Sequence, residues 1–202
     1  MEIDPESISP RSMYHWMTST ILPRPIAWVS TVSKDGATNL APFSFFAGVC
    51  ARPPTLMFCP ANDRFGRPKD TLVNIEETGE FVVNLVPYRL AEAMNATAAS
   101  LPHGQSEFTK FGVAQAAALK VKPPRVADSP VCFECRLDRV VRFGEGPIAG
   151  NAVFGRILHL HIDDAMVGAD GTADARMLDL VGRAGGDQYI RLEDYFRMER
   201  PD

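Results

Sequence analysis

Apolar and polar positions along this chain alternate in short runs cut by proline and glycine, a strand-like rhythm with little room for long helices. Ile26 to Ser33 and Thr38 to Val49 flank Lys34-Asp35-Gly36, whose Asp-Gly step supplies the positive φ of a tight hairpin turn, so they predict a strand pair. Thr55 to Cys59, launched by Pro53-Pro54, predicts a third strand, and Glu80 to Val86 a buried fourth. Residues 131 to 143 and 151 to 163 predict two long strands joined by Gly144 to Ala149. Pro42 cannot donate to a ladder, so its strand must lie at an edge or bulge near Pro42 to Phe46. A break there frees main-chain groups for a ligand, or simply turns a sheet corner. Several short strands with turn signals between them point to a mainly β, six-stranded antiparallel barrel with peripheral helices.

Helical spacing is confined to short stretches. Residues 11 to 20 place Met13, Trp16 and Met17 on one side behind Ser9 or Ser12 as cap, which suits a helix plugging the end of a barrel, and Pro23 and Pro25 stop it. Asp70 to Gly79 reads as a second helix, with Asp70 as N-cap, Leu72 and Ile75 inward and Gly79 at the left-handed C-terminal position. Leu90 to Ala99 and residues 174 to 181 also read as helical. Residues 1 to 12 read as an exposed flexible arm, 100 to 130 as a loop-rich insertion, 163 to 174 as a turn-rich connection, and Tyr189 to Asp202 as a tail packed along the subunit. A chain of 202 residues suits a single domain, 1 to 202, with a core that needs neither disulfides nor metal.

Charge and cysteine usage narrow the field. A net charge of −4 argues against nucleic acid or anionic membrane as partner. No apolar run approaches the ~20 residues that span a bilayer, and MEIDPESISP is acidic where a signal peptide is basic then apolar, so the expectation is a cytoplasmic protein. Cys50, Cys59, Cys132 and Cys135 lie in apolar strand-like surroundings and read as reduced, buried thiols. Cys132-Phe133-Glu134-Cys135 has redox or zinc spacing, but on a strand residues three apart face opposite sides. Gly144 to Ala149 fits G-x-G-x-x-A, yet strand and not helix follows, so a dinucleotide fold is rejected for a hairpin connection. His159 and His161 share a strand face without a third ligand nearby and read as packing residues, while His15 and His103 lack a nucleophile to activate.

One spaced set does point to chemistry. Arg24, Ser30, Thr31, Ser44, Lys69 and Thr71 supply hydroxyls and cations that, meeting at one end of the first strand pair, would hold a phosphate through charge-assisted hydrogen bonds. Lys69 and Thr71 stand at a helix start, where N–H groups and the dipole favour an anion.

The runs PRPIAWVSTVSKDG, NLAPFSFF, ARPPTLMF and PKDTLVNIEETGEFVVNL, then Met94-Asn95-Ala96-Thr97, Ser106-Glu107-Phe108, Gly182-Arg183 and Gly185-Gly186-Asp187-Gln188-Tyr189, together resemble the flavin reductase-like family of FMN-binding split barrels. The resemblance covers nearly the whole chain in order. It implies FMN bound at the seam of a homodimer, with Pro68 to Thr71 on the phosphate and the kinked main chain near Pro42 on the ring. Phe43, Phe45 and Phe46 suit core and interface packing, with Phe45 and Phe46 as candidates to touch the ring. It places Arg183 beside the flavin or an incoming nicotinamide and Ser106 to Phe108 over the flavin as a lid. The implied activity is hydride transfer from NAD(P)H to flavin N5, with electrons passed on to free flavin, oxygen or a monooxygenase partner. Catalysis by a cofactor also explains why no acid–base dyad is visible. The alternatives are a flavoredoxin-like FMN carrier reduced by a partner protein, or an FMN-binding protein without turnover.

Overall fold

The computed structural model describes residues 1–102 and 104–201, which leaves the expectation for His103 outside the described residues. Helix α1 (Pro10–Thr20) opens the fold, capped by Ser9, whose hydroxyl accepts from Ser12 N–H. The short strand β1 (Arg24–Pro25) precedes β2 (Ala27–Val32), β3 (Thr38–Phe43), β4 (Phe46–Ala51) and β5 (Pro54–Phe58). Helix α2 (Asp70–Thr78) leads into β6 (Glu80–Asn84) and then α3 (Ala91–Ala96). The 100 to 130 region holds α4 (Glu107–Phe111) and a small ladder of β7 (Gln115–Ala116) with β8 (Arg125–Val126). The long hairpin β9 (Val131–Phe143) and β10 (Gly150–Ile162) follows, then α5 (Ala175–Leu178), β11 (Val181–Arg183) and β12 (Tyr189–Arg191).

Among the described residues the main antiparallel sheet runs β3-β2-β6-β9-β10-β5-β4, so the strands at its two edges are consecutive in the chain. Phe45 O accepts from Cys59 N–H at 2.9 Å, which carries the β4–β5 pairing one residue beyond Phe46, toward the end of β3. This is the expected split barrel. Seven strands stand where six were expected because the 38 to 49 run divides at Ser44-Phe45, next to the proline that cannot donate. Gly36 takes φ +88° in the β2–β3 turn, and Gly79 closes α2 at φ +74°, both as expected.

Strand β2 separates two cores. Ala27 and Val29 face a barrel interior with Phe58, Phe81, Leu72 and Ile75 of α2, whereas Ile26 and Trp28 face a second cluster with Met94, Phe108 and Val126. The 100 to 130 region is therefore the cover of the sheet's outer face. Its expected lid, Ser106 to Phe108, is pinned: the Ser106 and Thr38 hydroxyls bond at 2.6 Å, Glu107 accepts from Leu40 N–H at 2.9 Å, and Phe108 lies in the second core.

Other expectations need correction. In α1 the buried residue is Thr18, while Trp16 and Met17 are exposed, because an apolar stripe does not say what covers it. Its first turn takes Pro10 to Ser12 from the expected arm, and Pro5–Ser7 forms a turn of 3-10 helix capped by Asp4. Asp70 is the first helical residue of α2 and Lys69 the N-cap. Helix α3 stops at Ala96, and α5 spans only Ala175–Leu178. Cys50 is exposed. The tail beyond β12 is largely exposed, although Tyr195 OH donates to Ala175 O at 3.0 Å. Cys135 joins the barrel core and Cys132 sits by Ser129 across the sheet, as strand parity requires. His159 Nδ1 lies 3.5 Å from the fully buried Glu134 carboxylate, and His161 pairs across the ladder with Cys132.

Candidate functional site

Between β3 and β4, Ser44 and Phe45 stand outside both flanking ladders. Pro42 to Phe45 form one wall of a cavity of about 290 Å³, closed elsewhere by Tyr14 of α1, Met94 and Asn95 of α3, and Arg183 and Tyr189 of the β11–β12 ladder. A second lobe of about 850 Å³ adjoins it and shares Pro42, Phe43, Lys69 and Ala98. Ligand sites typically occupy about 300–1,000 Å³, so this double groove is of the right size for a cofactor together with a substrate.

Lys69 sits where the lobes meet. It is exposed and makes no side-chain capping bond at the start of α2. A helix start presents N–H groups without intrahelical partners at the positive end of the dipole, so an anion placed beside Lys69 meets a cation and oriented donors together. Thr71 lines the second lobe but is almost fully buried, its hydroxyl accepting from Asn39 Nδ2 at 2.9 Å.

Arg24 performs a different task from the one expected of it. Its buried guanidinium donates Nη1 to Thr18 O (2.5 Å) and Ile21 O (2.9 Å), Nη2 to Ala184 O (2.8 Å) and Nε to Ser44 Oγ (3.3 Å). Those acceptors belong to the end of α1, the strand break and the turn after β11, which are three walls of the first lobe. Arg24 thus ties the walls together and lines neither lobe.

Ser30 and Thr31 are not at the site. Both are fully buried: Ser30 Oγ donates to Pro124 O, and Thr31 Oγ1 accepts from Asn74 Nδ2 at 3.0 Å. With a core on each face of β2, neither hydroxyl can reach the groove. Phe46 also turns away, packing against the barrel core, while Ser44 and Phe45 line the first lobe. Arg183 lines it as well, its guanidinium 4.4 Å from the Tyr189 ring centroid and bonded to Gln188 O and Gly186 O.

Sequence reasoning passed over Tyr14, Met94 and Asn95 as site residues, and placed Glu107 and Tyr189 near the flavin only as members of longer stretches, with no role of their own. Tyr189 OH donates to Asn95 Oδ1 at 2.8 Å and so joins β12 to the end of α3 across the cavity. Both belong to stretches already notable in the sequence, Met94 to Thr97 and Gly185 to Tyr189; the available signal was a polar residue within each. Glu107, 6% exposed, lines the second lobe, and burial pushes its carboxyl above the ordinary range against the opposing Leu40 N–H bond. In chemical terms the groove offers a first lobe with apolar side chains beside the interrupted strand, and a cationic helix start where the two lobes meet. That combination fits a planar heterocycle with an anionic tail.

The chain is similar to known proteins along most of its length. The flavin reductase like domain matches residues 17–177. A Halalkalibacterium halodurans protein is 35% identical over 203 residues, covering 100% of this chain and 97% of its own length. A Deinococcus radiodurans protein is 39% identical over 195 residues, 93% of this chain and 84% of its own. Among solved structures, nitrilotriacetate monooxygenase component B from Bacillus cereus superposes with a TM-score of 0.92 at 31% identity, covering 98% of each chain. Pseudomonas fluorescens 2-nitrobenzoate 2-nitroreductase NbaA gives 0.89 at 28%, covering 100% of this chain and 96% of that one. Flavoredoxin of Desulfovibrio vulgaris shares the fold at a TM-score of 0.75 and 18% identity, over 88% of this chain and 91% of that one.

Proposed function

Because the chain belongs to the flavin reductase-like family of oxidoreductases, we propose that it binds FMN in the double groove and accepts hydride from NAD(P)H. The observation that carries this reading is the junction of the β3–β4 break with the α2 start at Lys69. Lys69 and the first turn of α2 hold the phosphate. Ser44 and the N–H of Phe45 offer main-chain groups to the ring edge, and Ile26, Phe43 and Met94 exclude water from its face. Arg24 keeps Ser44 in place, while Arg183 and Tyr189 close the slot and orient the incoming donor. When bound, the flavin supplies the two-electron chemistry that no side chain of the groove provides.

The same reading pairs two copies of the chain. Tyr14, Trp16 and Met17 of α1 and the adjoining Ile21 and Leu22 leave an exposed apolar surface beside the first lobe, and a second copy seated there would complete its outer wall. Downstream, free flavin, oxygen or a monooxygenase partner takes the electrons, and the supply of NAD(P)H places the reaction in the cytoplasm. The test is anaerobic stopped-flow reduction of the FMN-loaded protein. Rapid bleaching by NADH or NADPH supports the reading, whereas bleaching only by a protein donor would make this a flavoredoxin-like carrier.

A further inference from the structure

The loop between β5 and α2 carries a group that FMN binding leaves unused. Phe65 is 64% exposed, with the guanidinium carbons of Arg64 and Arg67 at 4.8 and 5.0 Å from its ring centroid. The loop under it is stiff. Asp63 Oδ1 accepts from the N–H groups of Phe65 (2.8 Å) and Arg67 (2.9 Å), and Oδ2 pairs with Arg67 Nε at 3.0 Å. Asn62 Nδ2 donates to Gly66 O (3.2 Å) and Gly146 O (3.1 Å), which fastens the loop to the β9–β10 turn. Asn151 Nδ2 holds Asn62 Oδ1 at 2.9 Å, and a Cβ at Gly66 would stand 2.9 Å from Gly146 Cα. A ring and two cations are therefore presented in advance, at little ordering cost to a ligand.

This platform lines the second lobe, on the side of Lys69 away from the strand break. With the flavin head in the first lobe and its phosphate at Lys69, the remaining space suits a second, elongated anion. An exposed aromatic offers its open surface to a nucleobase, and guanidinium groups beside it pair with phosphate oxygens. We propose that Arg64, Phe65 and Arg67 dock the adenosine diphosphate half of the nicotinamide donor, an inference that rests on the NAD(P)H reading. Arg67 is partly committed to Asp63, so Arg64 meets the phosphates and Phe65 the base.

The test uses FMN-loaded protein and ADP-ribose, which carries the docking half without a transferable hydride. Phe65→Ala and Arg64→Gln each weaken ADP-ribose binding about tenfold, the effect of losing one stacked base or one charged contact. Each raises KM for NADH by a similar factor with kcat nearly unchanged, and leaves turnover of reduced nicotinamide mononucleotide and FMN content as in the parent. Undiminished ADP-ribose affinity in both variants would overturn the proposal. So would loss of FMN from the variants, which would assign the platform to the flavin phosphate. A holoprotein bleached by neither nicotinamide donor would remove the reductase reading instead, and the ADP-ribose titration would still decide the platform.

Discussion

Strand β2 and the groove beside α2 draw on the same residue types for opposite purposes. On β2, Ser30 and Thr31 are sealed between two cores, and each spends its hydroxyl on an internal partner, Pro124 O or Asn74 Nδ2. In the groove, Ser44 sits where a ladder has ended and Lys69 where a helix has not yet begun, and on the proposed reading their neighbourhood is where the ligand is met. A polar group buried without water must be satisfied by the protein, whereas one at a broken ladder can be satisfied by something else. Whether a serine is sealed in a core or left beside a groove thus depends on where its ladder ends and not on residue type. Arg24 stands on the boundary, charged like a ligand group but committed like a core one.

Removing that boundary residue has the largest expected effect. Arg24→Ala orphans acceptors on three walls, and we expect a loss of about 3 kcal/mol or more in urea unfolding, with FMN released as well. Arg24→Lys should not rescue it, since one ammonium cannot replace a planar fork; full rescue would return Arg24 to the role of a simple cation. Next, Thr31→Val strands Asn74 Nδ2 and should cost about 1–3 kcal/mol of stability while leaving FMN affinity unchanged. Loss of FMN affinity in that variant would move β2 back into the site.

The smallest effect concerns Glu107. Its folded-state pKa is raised, so the stability it contributes is complete below the ordinary value of 4.5 and declines as pH rises through the raised value. Glu107→Gln, which can still accept from Leu40 N–H, should flatten that part of the Tm–pH curve. A parent curve already flat above 4.5 would contradict the assignment.

Much of the fold was legible because local rules decide it. Asp35-Gly36 made its turn, Gly79 closed α2, and Pro42 marked the place where the barrel splits. Lys69, Ser44, Phe45 and Arg183 were legible as groove residues from motif position. Ser30 and Thr31 were misplaced because β2 is buried on both faces, which erases the alternation that distinguishes inside from outside. Nor could α1's exposure be read, since an apolar spacing does not say that Trp16 and Met17 stay uncovered. The Asp63 to Arg67 platform was invisible for a related reason: its rigidity comes from Asn62, Gly146 and Asn151, and the last two lie far along the chain.

The most direct test is to compare FMN with riboflavin, which lacks only the phosphate, on the parent protein and on Lys69→Ala. If the α2 start grips the phosphate, the parent prefers FMN and the substitution costs FMN about 1.5–3 kcal/mol of binding while riboflavin is barely affected. Equal losses for both ligands, or none for either, would contradict it.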